Sequence, residues 1–404
     1  MQRKYFVVAA AALLAAPAAM AQTNVTISGR LNVGWESYKL GDCPAGFSCS
    51  SESRVSESSS RIDFSIREDL GGGLSAWAYH SLRFSPDLGT INTSGNTAVG
   101  LQHNRWGKLT IGRWDVHYLE ADIPLGALHR GSNQALIGGG GLLGQIQSGP
   151  GGAVATMGNG TRTPNLLMWN SPNWNGFSGL VAYSASGGAA PTAVAGVVTA
   201  IPGASTLNEG SGRSAAGAGN PGSGRSWSGA LRYDNGPWAA GLSYWNSNAE
   251  SGVADGINRD NDQRSTRAWL GYKFPMGLNA GLSVDRSSLD TGINGGASSK
   301  SRRTSWFVPV NYRFGPHNLI AQYARAGKLT GSAIAAGTSG NYKAHAWMLG
   351  YEYAFSKRTS LNLNYTKLNN ASLASYDLYA LNGATNTLAG EDTRQIFIGM
   401  RHDF

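Results

Sequence analysis

The chain has 404 residues, with 33 Lys and Arg against 24 Asp and Glu, and a net charge of +9. The basic surplus is dispersed, without the Lys- or Arg-rich run that would make a binding arm, which excludes nucleic acid as a partner. With 56 Gly, 12 Trp and 16 Tyr and few helix-forming Glu and Lys, the composition points to one large all-β unit and not to two soluble domains.

Arg3 and Lys4 precede an unbroken apolar stretch from Tyr5 to Ala21 that ends on the small-residue pattern Ala19-Met20-Ala21. This predicts a secretory signal peptide over residues 1–21, cleavage before Gln22, and a mature unit of residues 22–404. Beyond it, every apolar run is broken within a few residues by Gly, Ser, Asn or a charge, so a membrane would be crossed by strands. Cys43 and Cys49 lie close together on the exported chain, which predicts a local disulfide; a metal or redox pair would need neighbouring His or Cys that the sequence lacks.

Apolar and polar side chains then alternate in segments of about ten residues, the period of a strand with two unlike faces. Val25, Ile27, Leu31, Val33 and Trp35 share one face of the first segment, and Thr26, Ser28, Arg30, Asn32 and Glu36 the other. Leu278, Ala280, Leu282 and Val284 oppose Asn279, Ser283 and Asp285; Trp306, Val308, Val310 and Tyr312 oppose Ser305, Asn311 and Arg313; Leu361, Leu363 and Tyr365 oppose Asn362, Asn364 and Thr366. Periodicity alone fits a soluble sandwich or an outer-membrane barrel.

Aromatic placement and connector length separate the two. Trp227 and Tyr233, Trp238 and Tyr244, Phe177 and Tyr183, and Tyr351, Tyr353 and Phe355 recur near segment ends, the pattern of interfacial girdles. Short turns fall at 69–73, 105–108, 171–176, 235–237, 275–277, 315–316 and 356–358. Longer polar loops lie around 39–60, 85–97, 115–162, 185–225, 248–265, 287–302, 327–343 and 369–392. Alternating short and long connectors join sixteen strands, enough to leave an aqueous channel. The Gly-, Ala- and Ser-rich stretch from Ser184 to Ser226 is assigned as a surface loop because strands resume on both sides with the expected parity.

Several motifs run in order along the mature chain: Val25-Thr26-Ile27-Ser28-Gly29, Ser60-Arg61-Ile62-Asp63-Phe64 leading to Glu68-Asp69-Leu70-Gly71, and Gly107 through Leu109-Thr110-Ile111-Gly112-Arg113. Asn170-Ser171-Pro172, Ser356-Lys357-Arg358-Thr359 and the terminal Gly399-Met400-Arg401-His402-Asp403-Phe404 follow. By these motifs the chain resembles the trimeric general porins of the Gram-negative outer membrane, especially the β-proteobacterial type. The resemblance implies a transmembrane 16-stranded antiparallel barrel with an inward-folded third loop, a homotrimer in outer-membrane lipid, and passage of small hydrophilic solutes and ions without a cofactor. It also implies that Phe404, on one face with Ile396, Ile398, Met400 and His402, belongs to the signal read by the outer-membrane assembly machinery.

In the resembled family the third long loop narrows the lumen opposite a basic wall. Arg61, Arg113 and Arg162 match that basic cluster, and Arg30 a further basic position. The acidic side is expected from the loop, with Asp115 close by and Glu120 and Asp122 as its candidates. Three departures stand out: Asp122-Ile123-Pro124-Leu125 and the Gly-rich run Gly138 to Gly141 in place of the family's acidic Pro-Glu-Phe-type loop tip, Met168 at an inward position that is often basic, and Asp63 beside Arg61. Arginine stays charged at physiological pH and offers several donors to carboxylate or phosphate, so the arginines and the basic balance together predict anion preference. No catalytic centre is expected: His80, His103, His117, His129, His317, His345 and His402 show no metal-ligand spacing, and His345 and His402 fall at strand positions. The alternatives are a substrate-selective channel for organic anions and a structural or adhesin barrel with little conductance. The second long loop, residues 85–97, is the candidate for reaching a neighbouring subunit.

Overall fold

The computed structural model describes residues 24–49, 51–57, 60–92, 95–117, 142–147, 154–156, 163–184, 192–194, 197–199, 225–248, 263–291, 299–376 and 388–404. Alternating sequence becomes strand throughout: β1 (Asn24–Gly41), β2 in two parts (Ser51–Glu57 and Arg61–Gly71), β3 (Leu74–Ser85), β4 in two parts (Thr90–Asn92 and Thr97–His103) and β5 (Gly107–Trp114). Then come β6 (Thr163–Asn170), β7 (Phe177–Ser184), β8 (Arg225–Asn235), β9 (Trp238–Asn248), β10 (Gln263–Lys273) and β11 (Leu278–Thr291). The series ends with β12 (Ser299–Phe314), β13 (His317–Ala326), β14 (Ala344–Ala354), β15 (Thr359–Asn370) and β16 (Asp392–Asp403).

Each strand pairs antiparallel with its sequence neighbours, and β1 also pairs with β16 from Arg30↔Asp403 to Gly41↔Asp392. The result is a closed 16-strand barrel, as the turn count predicts. Closure satisfies every ladder without leaving a sheet edge, the condition for strands in lipid. The seam is fastened at the chain's end: Gly29 N–H donates to Phe404 O at 3.0 Å and Phe404 N–H returns to Gly29 O at 3.1 Å. A side chain on Gly29 would begin 2.3 Å from Phe404 Cζ, so the terminal ring lies across a position that only glycine can occupy.

Outward residues of β1 and β16, among them Val25, Ile27, Leu31, Trp35, Ile396, Ile398 and Met400, are exposed apolar side chains, as lipid contact requires. The girdle aromatics meet across strands: Tyr183 and Trp227 at 4.4 Å between centroids, Trp238 and Tyr272 at 4.5 Å, Phe177 and Tyr233 at 4.6 Å. Such pairs add to the apolar area each ring covers.

All seven short turns fall where the sequence places them, but several loops are shorter than expected. β1 runs to Gly41 and β2 begins at Ser51, inside the stretch assigned to the first loop. There the ladder continues with polar partners, Glu36 opposite Arg54 and Tyr38 opposite Glu52, so it has no apolar alternation to show. Likewise β11 and β12 extend to Thr291 and from Ser299. Cys43 and Cys49 form the expected disulfide in the first loop.

The buried apolar clusters sit inside the barrel and not between layers. Leu142 and Leu143 of the third loop pack with Phe307, Ile320, Ala324, Ala326, Ala344, Ala346, Met348 and Leu368 of β12 to β15, joined by Ala374 and Tyr376 of the last loop. A second cluster gathers Val116 and Ile146 of the third loop with Leu166, Met168, Leu180, Ala182, Ala230 and Trp245 of β6 to β9. The described segments of the third loop are therefore folded inward, and the lumenal faces they cover have turned apolar.

Candidate functional site

Strand register brings the lumenal arginines into one row. Arg30 of β1 pairs with Arg61 of β2, and Arg61 pairs with Arg83 of β3. Directly opposed side chains on one face have Cβ atoms about 5 Å apart, close enough for like charges to repel unless neighbouring acids compensate. Two acids do so: Arg61 Nε lies 2.7 Å from Asp63 Oδ2 and Arg30 Nε lies 3.2 Å from Asp403 Oδ1. Asp403 is shared, since Arg401 reaches it with both Nε and Nη2 at 2.8 to 3.2 Å. Arg30 and Arg61 keep 22% and 28% of their side-chain surface in solvent, so the row presents partly neutralised, wet cations to the lumen.

The third loop is moored to the far wall. His117 is fully buried, with Nδ1 2.7 Å from Ser243 Oγ on β9 and Nε2 2.8 Å from Ser265 Oγ on β10. Ser265 Oγ donates its proton to Asp285 Oδ2 at 2.6 Å, so it accepts from His117 Nε2–H, which leaves Nδ1 to accept from Ser243. That is a neutral imidazole with both nitrogens used. Burial, and then the Arg267 guanidinium, hold its pKa well below the usual 6.5. Arg267 itself pairs with Asp285 at 3.2 Å, both fully buried. Further along, Arg303 of β12 donates to Leu142 O, and Gln147 donates to Leu373 O at 2.9 Å. The described parts of the loop thus rest against β6 to β14, across the barrel from the row on β1 to β3.

A family model described as a Gram-negative porin matches residues 8–373. The chain belongs to that family.

It is a channel of the Gram-negative outer membrane. Outer membrane porin protein 32 of Delftia acidovorans is 28% identical over 99% of this chain and 100% of its own length. An outer membrane porin protein of Bordetella pertussis is 26% identical over 98% of each. Among solved structures, the anion-selective porin from Comamonas acidovorans superposes with a TM-score of 0.64 at 23% identity, covering 95% of this chain and 100% of the other. The trimer form of OmpT from Vibrio cholerae superposes at 0.60 with 12% identity, covering 95% and 99%. These last two likenesses support the fold.

Of the residues the sequence proposes for the porin's constriction, Arg30 and Arg61 stand in the row, while Arg162, Glu120 and Asp122 lie outside the described residues. Arg113 is a correction. On β5 it shares a face with Leu109 and Ile111, and its register partner is Thr97, which bonds His80 at 2.9 Å; the inward set is instead Lys108, Thr110, Gly112 and Trp114. Arg113 therefore belongs to the outward face. Asp115 is buried and accepts from Asn96 Nδ2 at 2.7 Å, a structural bond at the root of the loop. Met168 is inward as expected, with 2% of its surface exposed.

Sequence reasoning missed Arg83, Arg401 and His117. Arg83 carried a signal: Ser81 and Arg83 alternate with Leu82 and Phe84, which places it inward once the strand is recognised. Its level with Arg30 and Arg61 depends on cross-strand register, which no local pattern reports.

Proposed function

We propose that the porin passes small anions in preference to cations. The observation that carries this is the lumenal row of Arg30, Arg61 and Arg83 on adjacent strands, with Arg401 beside it. Arginine cannot lose its charge, and its planar fork suits carboxylate and phosphate oxygens passing along the wall. The anion-selective porin from Comamonas acidovorans, similar in fold, agrees with this reading. Arg162 is proposed to join the basic wall, and Glu120 and Asp122 the opposing loop. The same reading has residues 1–21 cleaved as a signal peptide, makes the assembled form a homotrimer, as one structural relative is, and assigns the chain no covalent chemistry. Reversal potentials of the purified porin in a KCl gradient test it: the sign of chloride preference is expected, and potassium preference would overturn it.

A further inference from the structure

We propose that the lumenal wall on the short-turn side of the arginine row carries a subsite for planar aromatic carboxylates, an inference that rests on the anion-preferring reading and narrows it. Trp77 and Tyr79 of β3 and Trp114 of β5 all stand on the lumenal face. Their rings touch edge to face, Trp77 to Trp114 at 5.6 Å and Tyr79 to Trp114 at 5.3 Å between centroids. Lys108 of β5 holds its ammonium 3.7 Å from the Trp77 centroid and 5.1 Å from that of Trp114.

The intervening strand β4 is cut down to make room. It places only Ala98 and Gly100 between the rings, and a side chain on Gly100 would begin 1.9 Å from Leu109 O and 2.8 Å from Trp77 Nε1. Trp77 Nε1–H donates to Leu109 O at 3.2 Å, which pins the indole against the wall. The outcome is a lumenal cluster of rings set edge to face, with the Lys108 ammonium over the face of Trp77.

Exposure makes this cluster unlike the rest of the apolar lumen. Phe307 and Met348 are inward but capped by loops to 1% and 0% exposure, whereas Trp77, Tyr79, Trp114 and Lys108 are all partly exposed. Ring surface in a water-filled lumen is unfavourable until something apolar covers it. Tyr79 is four residues from Arg83, roughly 13 Å along the strand, so a solute leaving the row meets the cluster next. A planar ring would pack against Tyr79 or Trp114, face to face with one and edge to face with the other, with its carboxylate on Lys108; a saturated ring of equal charge would gain only the cation.

Planar-bilayer recordings of the whole porin with benzoate and with cyclohexanecarboxylate test this. Benzoate should half-block the current at a concentration roughly 2- to 12-fold lower, the range expected from stacking preference. Trp114→Leu, and Tyr79→Leu as a second variant should the first fail to fold, should bring the two solutes together, while Lys108→Met should weaken both. Equal block by the two acids in the unaltered porin would overturn the subsite, leaving the trio as a pin for the loop root. A chloride-selective reversal potential measured alongside shows that such a failure belongs to the subsite, whereas potassium selectivity would remove the reading beneath it.

Discussion

Replacing Arg61 with Gln removes one cation from the row and leaves Asp63, 2.7 Å away, without its partner. An ion passing about 6 Å from that guanidinium in a watery lumen interacts with it by about 0.7 kcal/mol, reduced to about 0.4 kcal/mol at 0.1 M salt, where the Debye length is ~10 Å. Chloride loses that attraction and potassium loses the equal repulsion, so the permeability ratio should fall about fourfold. Asp63→Asn should raise the ratio by about the same factor, and the double variant should return to within about twofold of the parent, because charge and not shape is being changed. Arg113→Gln is the internal control, since its register places it on the outward face, and it should leave the ratio unchanged. Zero-current potentials across a tenfold KCl gradient read all four. The reasoning is refuted if Arg61→Gln leaves the potential where it was, or if Arg113→Gln moves it as far.

Three further outcomes are expected. Gly29→Val should lower the yield of folded barrel, because the new side chain meets Phe404 at 2.3 Å and lifts the terminal ring; deleting Phe404, whose surface is 41% exposed, should weaken the seam by about 1–2 kcal/mol, and both are read by heat-modifiable gel mobility. Acid should loosen the third loop. His117 is held neutral below its ordinary pKa, so docking is at full strength above about pH 6.5 and loses up to about 1.4 kcal/mol per pH unit as the undocked loop takes up a proton below it. A falling protection factor for the amides of residues 115–117 from pH 6.5 to 4.5, with the intrinsic pH dependence of exchange divided out, and no such fall in His117→Asn, is the observable. Reducing Cys43–Cys49 should release about 2 kcal/mol of loop constraint yet leave ion selectivity unchanged, since the bridge closes a loop beyond the end of β1.

Strand number, turn positions and outward faces were legible because lipid demands an unbroken alternation on one side. The loops came out too long in the sequence because, beyond the membrane, strands such as the end of β1 carry polar residues on both faces. The constriction was the harder part. Arg113 was placed by resemblance, although Leu109, Ile111 and Arg113 share a face by simple parity; Arg83, which parity does place inward, went unremarked. His117 shows no local sign of its role, since its partners Ser243, Ser265 and Asp285 are on strands more than a hundred residues away.

The apolar residues on the inward faces of β12 to β15 explain how so few arginines could govern passage. A 16-stranded barrel is wide compared with the ~10 Å over which salt screens a charge, so a basic wall alone would influence only the ions nearest to it. Phe307, Ala324, Ala346 and Met348 give Leu142 and Leu143 of the third loop a dry surface to lie on, and His117 and Arg303 fix the loop's start and middle to β9, β10 and β12. A solute displaced from that wall by the loop's described parts passes closer to Arg30, Arg61 and Arg83, within the range at which their charge is felt. On this argument, selectivity depends on the loop's mooring as much as on the row. Ser243→Ala together with Ser265→Ala, which deprives His117 of both hydroxyl partners, should therefore raise conductance and lower the chloride-to-potassium ratio in the same recordings with every arginine intact. A conductance increase without any loss of selectivity would show that the row acts at longer range than screening allows.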